Sequence, residues 1–203
     1  YLTTRKKQCS NNIFYWNIKK NHIDKGALIN TKHIIHLAGF NIENLWTKRN
    51  KKIMFDSRVN SSKLLYNECV KSNINPKTFI SASAMGYYGF NQKGEKNENN
   101  KAGNDWMSEL CVKWEKCADN FKLIHSRVIK LRFSLLIDKN NGVLKKTLLG
   151  YKFGVGLIFG NGKQAFPWIH IKDVASFFIK CTENNHRGVF NLVSPNPITQ
   201  NEL

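Results

Sequence analysis

Hydroxyl chemistry is concentrated in one short stretch of this chain. Ser81-Ala82-Ser83-Ala84-Met85-Gly86-Tyr87-Tyr88-Gly89 directly follows an apolar run. A serine hydroxyl can hold an oxygen atom by hydrogen bonding, and a phenol can trade a proton with it. Neither Tyr87 nor Tyr88 has a lysine at the helical i+4 offset, where an ammonium could tune the phenol. A cationic group stands near the start: Arg5, followed by Lys6 and Lys7. A guanidinium there can pair bidentately with a phosphate. His36-Leu37-Ala38-Gly39 makes a small-residue turn in which a glycine relieves the backbone. Arg132 follows another apolar run and suits a structural ion pair as well as a ligand contact.

Such groups need a scaffold, and the apolar periodicity supplies one. Short buried strands are predicted at 33–37, 78–83, 127–131 and 189–193. Residues 45–72 read as a long helix with Phe55, Val59, Tyr66 and Val70 on one face. Asn104 is the expected N-cap of a helix that carries Trp106, Leu110, Trp114 and Cys117. Val174, Phe177, Phe178 and Cys181 mark a last helix. Strand–helix alternation of this kind implies an α/β fold, a doubly wound parallel sheet of Rossmann type. Residues 1–203 read as one such domain. The stretch from about 133 to 167 fits the alternation poorly and reads as a small irregular excursion on the substrate side.

The net charge is +18, yet only six of the 32 basic residues are arginine. The lysines are spread along the whole chain among abundant asparagines and form no single stripe. That is a compositional bias, so no specific nucleic-acid partner is expected, only weak attraction to polyanions at low salt. No apolar run approaches the roughly 20 residues that a membrane span needs. The five cysteines are odd in number and contain no C-x-x-C pair, which suits reduced thiols in a cytoplasmic protein without a metal site.

Residues 154–175, GVGLIFGNGKQAFPWIHIKDVA, resemble the late segment of extended short-chain dehydrogenases/reductases, the NAD-dependent epimerase/dehydratase group. That group carries G-x-G-x-Q, then an aromatic–Ile/Val–His strand, then x-D-V-A opening a helix. Gly160, Gly162, Gln164, Trp168, Ile169, His170, Asp173, Val174 and Ala175 fall in place. His36–Gly39 resembles the (H/N)-x-A-G turn beside the cofactor's adenosine, and Ser81–Gly89 resembles the S-S-x-x-V-Y-G region. Trp46, Asp56-Ser57-Arg58 and Trp114-Glu115 narrow the match to an atypical epimerase-like subfamily with a C-terminal domain of unknown function, into which Pro195–Thr199 would lead.

The resemblance implies an NADP-dependent oxidoreductase that moves a hydride at a carbonyl or alcohol carbon of an unidentified small molecule. Thr4 and Arg5 would meet the adenosine ribose, with Arg5 in the place of an acidic residue and thus favouring a 2′-phosphate over NAD. His36, Leu37, Ala38, Gly39 and Ser81 would line the cofactor, and Arg132 would lie near the nicotinamide. Ser83 would orient the substrate oxygen, and Tyr87 or Tyr88 would donate the proton. His170 would support its strand, and Asp173 would cap or charge the next helix.

The departures from the family pattern are equally specific. No G-x-x-G-x-x-G between a strand and a helix precedes Leu37, and the glycines at 154–162 do not replace it. Tyr1–Arg5 reads as the second strand of the fold, so about 30 residues, one βαβ repeat, are expected to be absent from the front. The sheet should then have an open strand place beside 1–4 and 33–37. At the family spacing from Ser83, the Y-x-x-x-K positions are Met107 and Cys111, which cannot do that work. Phe166-Pro167 stands where nucleotide-sugar enzymes carry Arg-Asp, an apolar wall that argues against a nucleoside-diphosphate sugar. The absent Tyr–Lys pair favours an alternative: a non-catalytic nucleotide-sensing or interaction protein that keeps the fold without turnover.

Overall fold

The computed structural model describes residues 1–6, 10–90, 94–139, 161–196 and 198–202. A small sheet comes first: β1 (Leu2–Thr3) pairs parallel with β2 (Phe14–Asn17), and β3 (His22–Ile23) returns antiparallel on β2. After β4 (His33–His36) the chain forms one continuous helical run. It comprises α1 (Lys48–Phe55), a π-type stretch (Asp56–Asn60) and α2 (Ser61–Lys71). Then follow β5 (Thr78–Ala84), α3 (Trp106–Asp119), β6 (Arg127–Phe133) and β7 (Leu135–Ile137). Next come β8 (Ala165–Phe166), β9 (Trp168–His170), α4 (Ile171–Glu183), β10 (Gly188–Leu192) and β11 (Ile198–Thr199).

Four strands form the main sheet in the order β10-β6-β5-β4, every neighbour parallel. Parallel neighbours require crossovers, and helices here cover both faces. On one face Phe79 and Val128 pack with Leu65 of α2 and with Phe121 beyond α3. The rings of Phe79 and Phe121 stack at 3.6 Å. On the other face Ile80, Ile129 and Leu131 meet Val174 and Cys181 of α4. The doubly wound parallel sheet expected from the alternation is present, with all four strands where the apolar runs place them.

Three details refine the sequence reading. First, Leu2–Thr3 has β2 as its strand partner and, among the described residues, no backbone pairing with β4. The two sheets meet through side chains, since Leu2, Trp16 and Ile23 pack in one cluster with Ile34 and Phe79. Second, Asp105 and not Asn104 caps α3; its side chain accepts a hydrogen bond from the Ser108 amide at 2.9 Å. Third, the apolar face of the long helix slips. Val59 is buried as expected, but Leu65 and Cys69 are buried where Tyr66 and Val70 were the expected pair. A π-type turn holds an extra residue, so every position beyond it rotates by one place. Of the excursion at 133–167, the described ends are β7, which pairs parallel with β9, and β8, which pairs antiparallel with β11. Residues 140–160, with Gly154, Gly156 and Gly160, lie outside the described residues.

The slip is testable. Leu65 is 3% exposed and Val70 is 51% exposed. Leu65→Ala should lower the unfolding free energy in urea by about 2–5 kcal/mol, and Val70→Ala should change it by about 0.5 kcal/mol or less. Equal losses would return the buried face to the simple helical repeat.

Candidate active site

The register of the sheet puts Ser83 of β5 opposite Arg132 of β6, and Arg132 opposite Asn191 of β10. These three polar residues form one row near the carboxyl end of the strands. Glu115 reaches them from α3. Arg132 donates Nε–H to Glu115 Oε1 at 2.8 Å and Nη2–H to Oε2 at 3.0 Å, a bidentate pair. Ser83 donates its hydroxyl to Glu115 Oε1 at 2.7 Å. All three are buried, Arg132 to 2% exposure and Glu115 to 5%. Burial works against the charge on Arg132, but the hydrogen-bonded Glu115 carboxylate outweighs it and holds the guanidinium above its ordinary pKa.

The turn after β5 closes over this row. Arg132 Nη1 donates to the Tyr88 hydroxyl at 2.8 Å. That hydroxyl carries one proton, with Asn191 Oδ1 at 2.7 Å and the Asn97 carbonyl at 2.9 Å as acceptors. Tyr88 is 3% exposed. Tyr87 differs: its half-buried ring lies flat on the Arg132 guanidinium, 3.4 Å from Cζ to the ring centroid. Among the described residues its hydroxyl has no hydrogen-bond partner. Of the two phenols, Tyr87 is the one still free to give a proton. Arg132 is held in the buried ion pair, its donors engaged by Glu115, the Tyr88 hydroxyl and the Glu98 carbonyl. Ser81 is fully buried and donates to the Ala82 carbonyl at 2.9 Å, so its hydroxyl too is satisfied within the protein.

Glu115 and Asn191 were not among the residues read as functional. The signal for Glu115 is its place on the buried stripe of α3, between Cys111, Trp114 and Ala118. A carboxylate there requires a cation from another element. Asn191 carries no such signal, because its role follows from strand register.

The His36–Gly39 turn is held by the π-type stretch. The Phe40 amide donates to Ser57 Oγ at 2.8 Å, and Arg58 Nη1 donates to the Phe40 carbonyl at 3.0 Å. A Cβ on Gly39 would come within 3.1 Å of the Arg58 guanidinium, so a larger residue there would press Arg58 back by a few tenths of an ångström. Leu37 is exposed and Ala38 half-buried. His36 points inward: Nε2 lies 2.8 Å from Ser61 Oγ, whose proton goes to the Ser57 carbonyl at 2.6 Å. Nε2 is therefore the protonated nitrogen, and buried Nδ1 has no partner among the described residues. Thr4 and Arg5 are exposed just beyond β1. Beside them a hollow of about 380 Å³ is lined by Lys6, Tyr15, Lys20 and His22. His170 caps α4, its Nδ1 accepting from the Lys172 amide at 3.2 Å, and Asp173 stands in the first turn. Burial pushes the Cys111 thiol up to about 12 and the Cys69 thiol up to about 11, which keeps both protonated near neutral pH.

No protein-family model matches the chain. It is 32% identical over 204 residues to epimerase family protein SAR0825 of Staphylococcus aureus (strain MRSA252), covering 98% of this chain and 68% of that protein. The chain belongs to the epimerase family. To epimerase family protein ML0860 of Mycobacterium leprae it is 29% identical over 191 residues, covering 93% of this chain and 62% of that protein. The chain thus spans less than two thirds of the mycobacterial relative and slightly more of the staphylococcal one. Among solved structures, human epimerase family protein SDR39U1 (isoform 2) with NADPH aligns with a TM-score of 0.83 and 26% identity, over 98% of this chain and 66% of that one. The nucleoside-diphosphate sugar epimerase of Corynebacterium glutamicum aligns with a TM-score of 0.78 and 28% identity, over 92% and 39%. MoeE5 in complex with UDP-glucuronic acid and NAD shares the fold, with a TM-score of 0.77 at 18% identity over 99% and 70%. No helix among the described residues is long and apolar enough to cross a membrane.

The His36 geometry sets a pH dependence. Burial, with Arg58 adding to it, pushes the imidazole down to about 4 from 6.5. Between those values the unfolded chain binds a proton that the folded chain refuses, so stability rises with pH in that window. The contribution is complete above pH 6.5 and falls away toward pH 4, by about 3 kcal/mol in all. His33 is also lowered, chiefly by burial, and acts in the same direction. Urea midpoints at pH 7 and pH 4.5 should differ less for His36→Gln than for the unmodified protein. An unchanged difference would remove His36 as the cause.

Proposed function

We propose that this protein is an NADP-dependent, epimerase-like oxidoreductase in which Tyr87 donates the proton to a substrate oxygen. The observation that carries this reading is the stack of Tyr87 on Arg132. Arg132 places a positive charge against the ring that is left negative when the proton departs. It stands where the sequence has no lysine to offer, and it comes from the next strand instead of the same helix. Ser83 gives its own proton to Glu115, so toward a substrate it presents lone pairs and orients a hydroxyl. Tyr88 is a positioning residue, tied to Arg132 and Asn191. A bound nicotinamide would supply or take up the hydride.

Family membership supports a nicotinamide cofactor, and the human relative was solved with NADPH. The preference for NADP rests on Arg5, exposed beyond β1 beside the hollow that Lys6, Lys20 and His22 line. Lys6 and Lys20 offer cationic donors to a 2′-phosphate, while His22 is already engaged by the Asp24 carboxylate at 2.9 Å. Phe166 and Pro167 continue to argue against a nucleoside-diphosphate sugar, because they offer no donor side chain to a diphosphate. A second reading, a nucleotide-sensing or interaction protein without turnover, is favoured by one observation. Ser83, Tyr88 and Arg132 are all occupied by one another's network.

Two measurements decide between these readings, made on the chain together with any sequence that flanks it in its gene. NADPH oxidation with a panel of small carbonyl compounds should show turnover that Tyr87→Phe lowers by about 100-fold or more. Tight cofactor binding without turnover would favour the second reading instead. In the other measurement, NADPH should bind more tightly than NADH by about ten- to hundredfold, and Arg5→Ala should erase most of that preference. Equal affinities before mutation would refute the 2′-phosphate assignment.

A further inference from the structure

The carboxyl end of the sheet carries an aromatic ledge beside Tyr87. Trp46 lies in the loop between β4 and α1 and is 38% exposed; Phe90 follows the Tyr87–Tyr88 turn and is 65% exposed. Trp106 opens α3 and is half-buried. The Trp46 ring lies 5.3 Å from that of Trp106 and 5.7 Å from that of Phe90, centroid to centroid. Lys51, on α1, holds its ammonium 5.0 Å from the Trp106 ring and 5.9 Å from the Trp46 ring.

The ledge is a built feature and not a loose loop. Trp46 Nε1 donates to the Ile42 carbonyl at 3.0 Å, and Asn50 of α1 donates to the Leu45 carbonyl at 2.8 Å. Trp106 is fixed by the capped start of its helix. The ledge also carries a cation without a carboxylate partner. Neighbouring Lys52 is paired with Asp56 at 3.2 Å, but Lys51 has no carboxylate partner among the described residues. Asp105, which borders the ledge, has both oxygens taken up by the Ser108 and Phe90 amides. Tyr87 and Trp106 pack against one apolar cluster, with Phe40 and Ile42 beside them.

Two indoles and a phenyl ring offer flat faces for a planar group, and an unpaired ammonium beside them offers a counter-charge. We infer that Trp46, Trp106, Phe90 and Lys51 form the substrate-selecting surface of the site, and that they select a planar, ring-bearing carbonyl compound with a carboxylate. The ring lies on the ledge, the carboxylate meets Lys51, and the carbonyl is turned toward Tyr87. This rests on the reading of Tyr87 as proton donor for the reaction, though the ledge itself can be tested without turnover.

The probes are 4-carboxybenzaldehyde and benzaldehyde, which share a ring and an aldehyde and differ in one carboxylate. Binding is measured by calorimetry, and reduction is followed by NADPH oxidation. In the reduction the aldehyde carbon gains a hydride from NADPH, which is left as NADP⁺, and the oxygen gains the proton, giving the alcohol. We expect 4-carboxybenzaldehyde to bind about tenfold more tightly than benzaldehyde. Lys51→Met should erase that preference, and Lys51→Arg should retain it. Trp46→Ala should weaken both compounds about tenfold with an unchanged far-ultraviolet circular dichroism spectrum. A preference that survives Lys51→Met, or no measurable binding of either compound, overturns the inference. Binding that follows the expected pattern without reduction sustains the ledge and sinks the Tyr87 reading. Reduction with unchanged KM in both Trp46→Ala and Lys51→Met does the reverse.

Discussion

Arg132 and Glu115 are charges in an almost dry place, and neither is tolerable there without the other. Desolvating an ion costs several kcal/mol, which only a well-aligned partner with further hydrogen bonds offsets. Here the alignment is bidentate, with Ser83 and Tyr88 filling remaining positions on the two groups. Removing one partner of such a pair typically costs about 3–5 kcal/mol, because the survivor is left buried and unpaired. The pair therefore constrains more than itself. It demands that α3 sit at one height over β6, that β5 and β10 keep their register, and that the turn at 85–88 fold back over the row.

That constraint shapes the chemistry open to the site. A hydroxyl held by a carboxylate cannot give its proton away, so Ser83 becomes an acceptor toward anything else. A phenol that accepts from a guanidinium and donates to an amide oxygen is a strut, which describes Tyr88. What the network leaves over is the ring face of Tyr87 on the guanidinium and a hydroxyl beyond it. The cation against this phenol comes from a neighbouring strand.

The turn after β4 obeys a similar economy of geometry. The π-type stretch at 56–60 sets Ser57 and Arg58 on the Phe40 backbone and Ser61 on His36, so one helical irregularity serves three contacts. The guanidinium approaches Gly39 closely, and burial beside that same charge keeps His36 neutral. Such irregular turns inside helices are favoured where side chains must be re-aimed. This one re-aims them at the carboxyl end of β4.

Much of this protein was legible in its sequence. The strands at 33–36, 78–84, 127–133 and 188–192 come from short apolar runs that no other element could bury, and their alternation with helices required a parallel sheet. Ser83, Tyr87 and Tyr88 were visible as hydroxyls at a strand end, and the 154–175 segment pointed to the family. Tertiary structure alone decided which hydroxyls are free. That depends on partners 32 to 103 positions away, whose meeting is set by register and helix height and leaves no local pattern: Glu115 for Ser83, Arg132 and Asn191 for Tyr88. The slip of the long helix was hidden for a related reason. A π-type turn is chosen by what its side chains must reach, and apolar spacing read along one helix contains no record of the neighbouring strand.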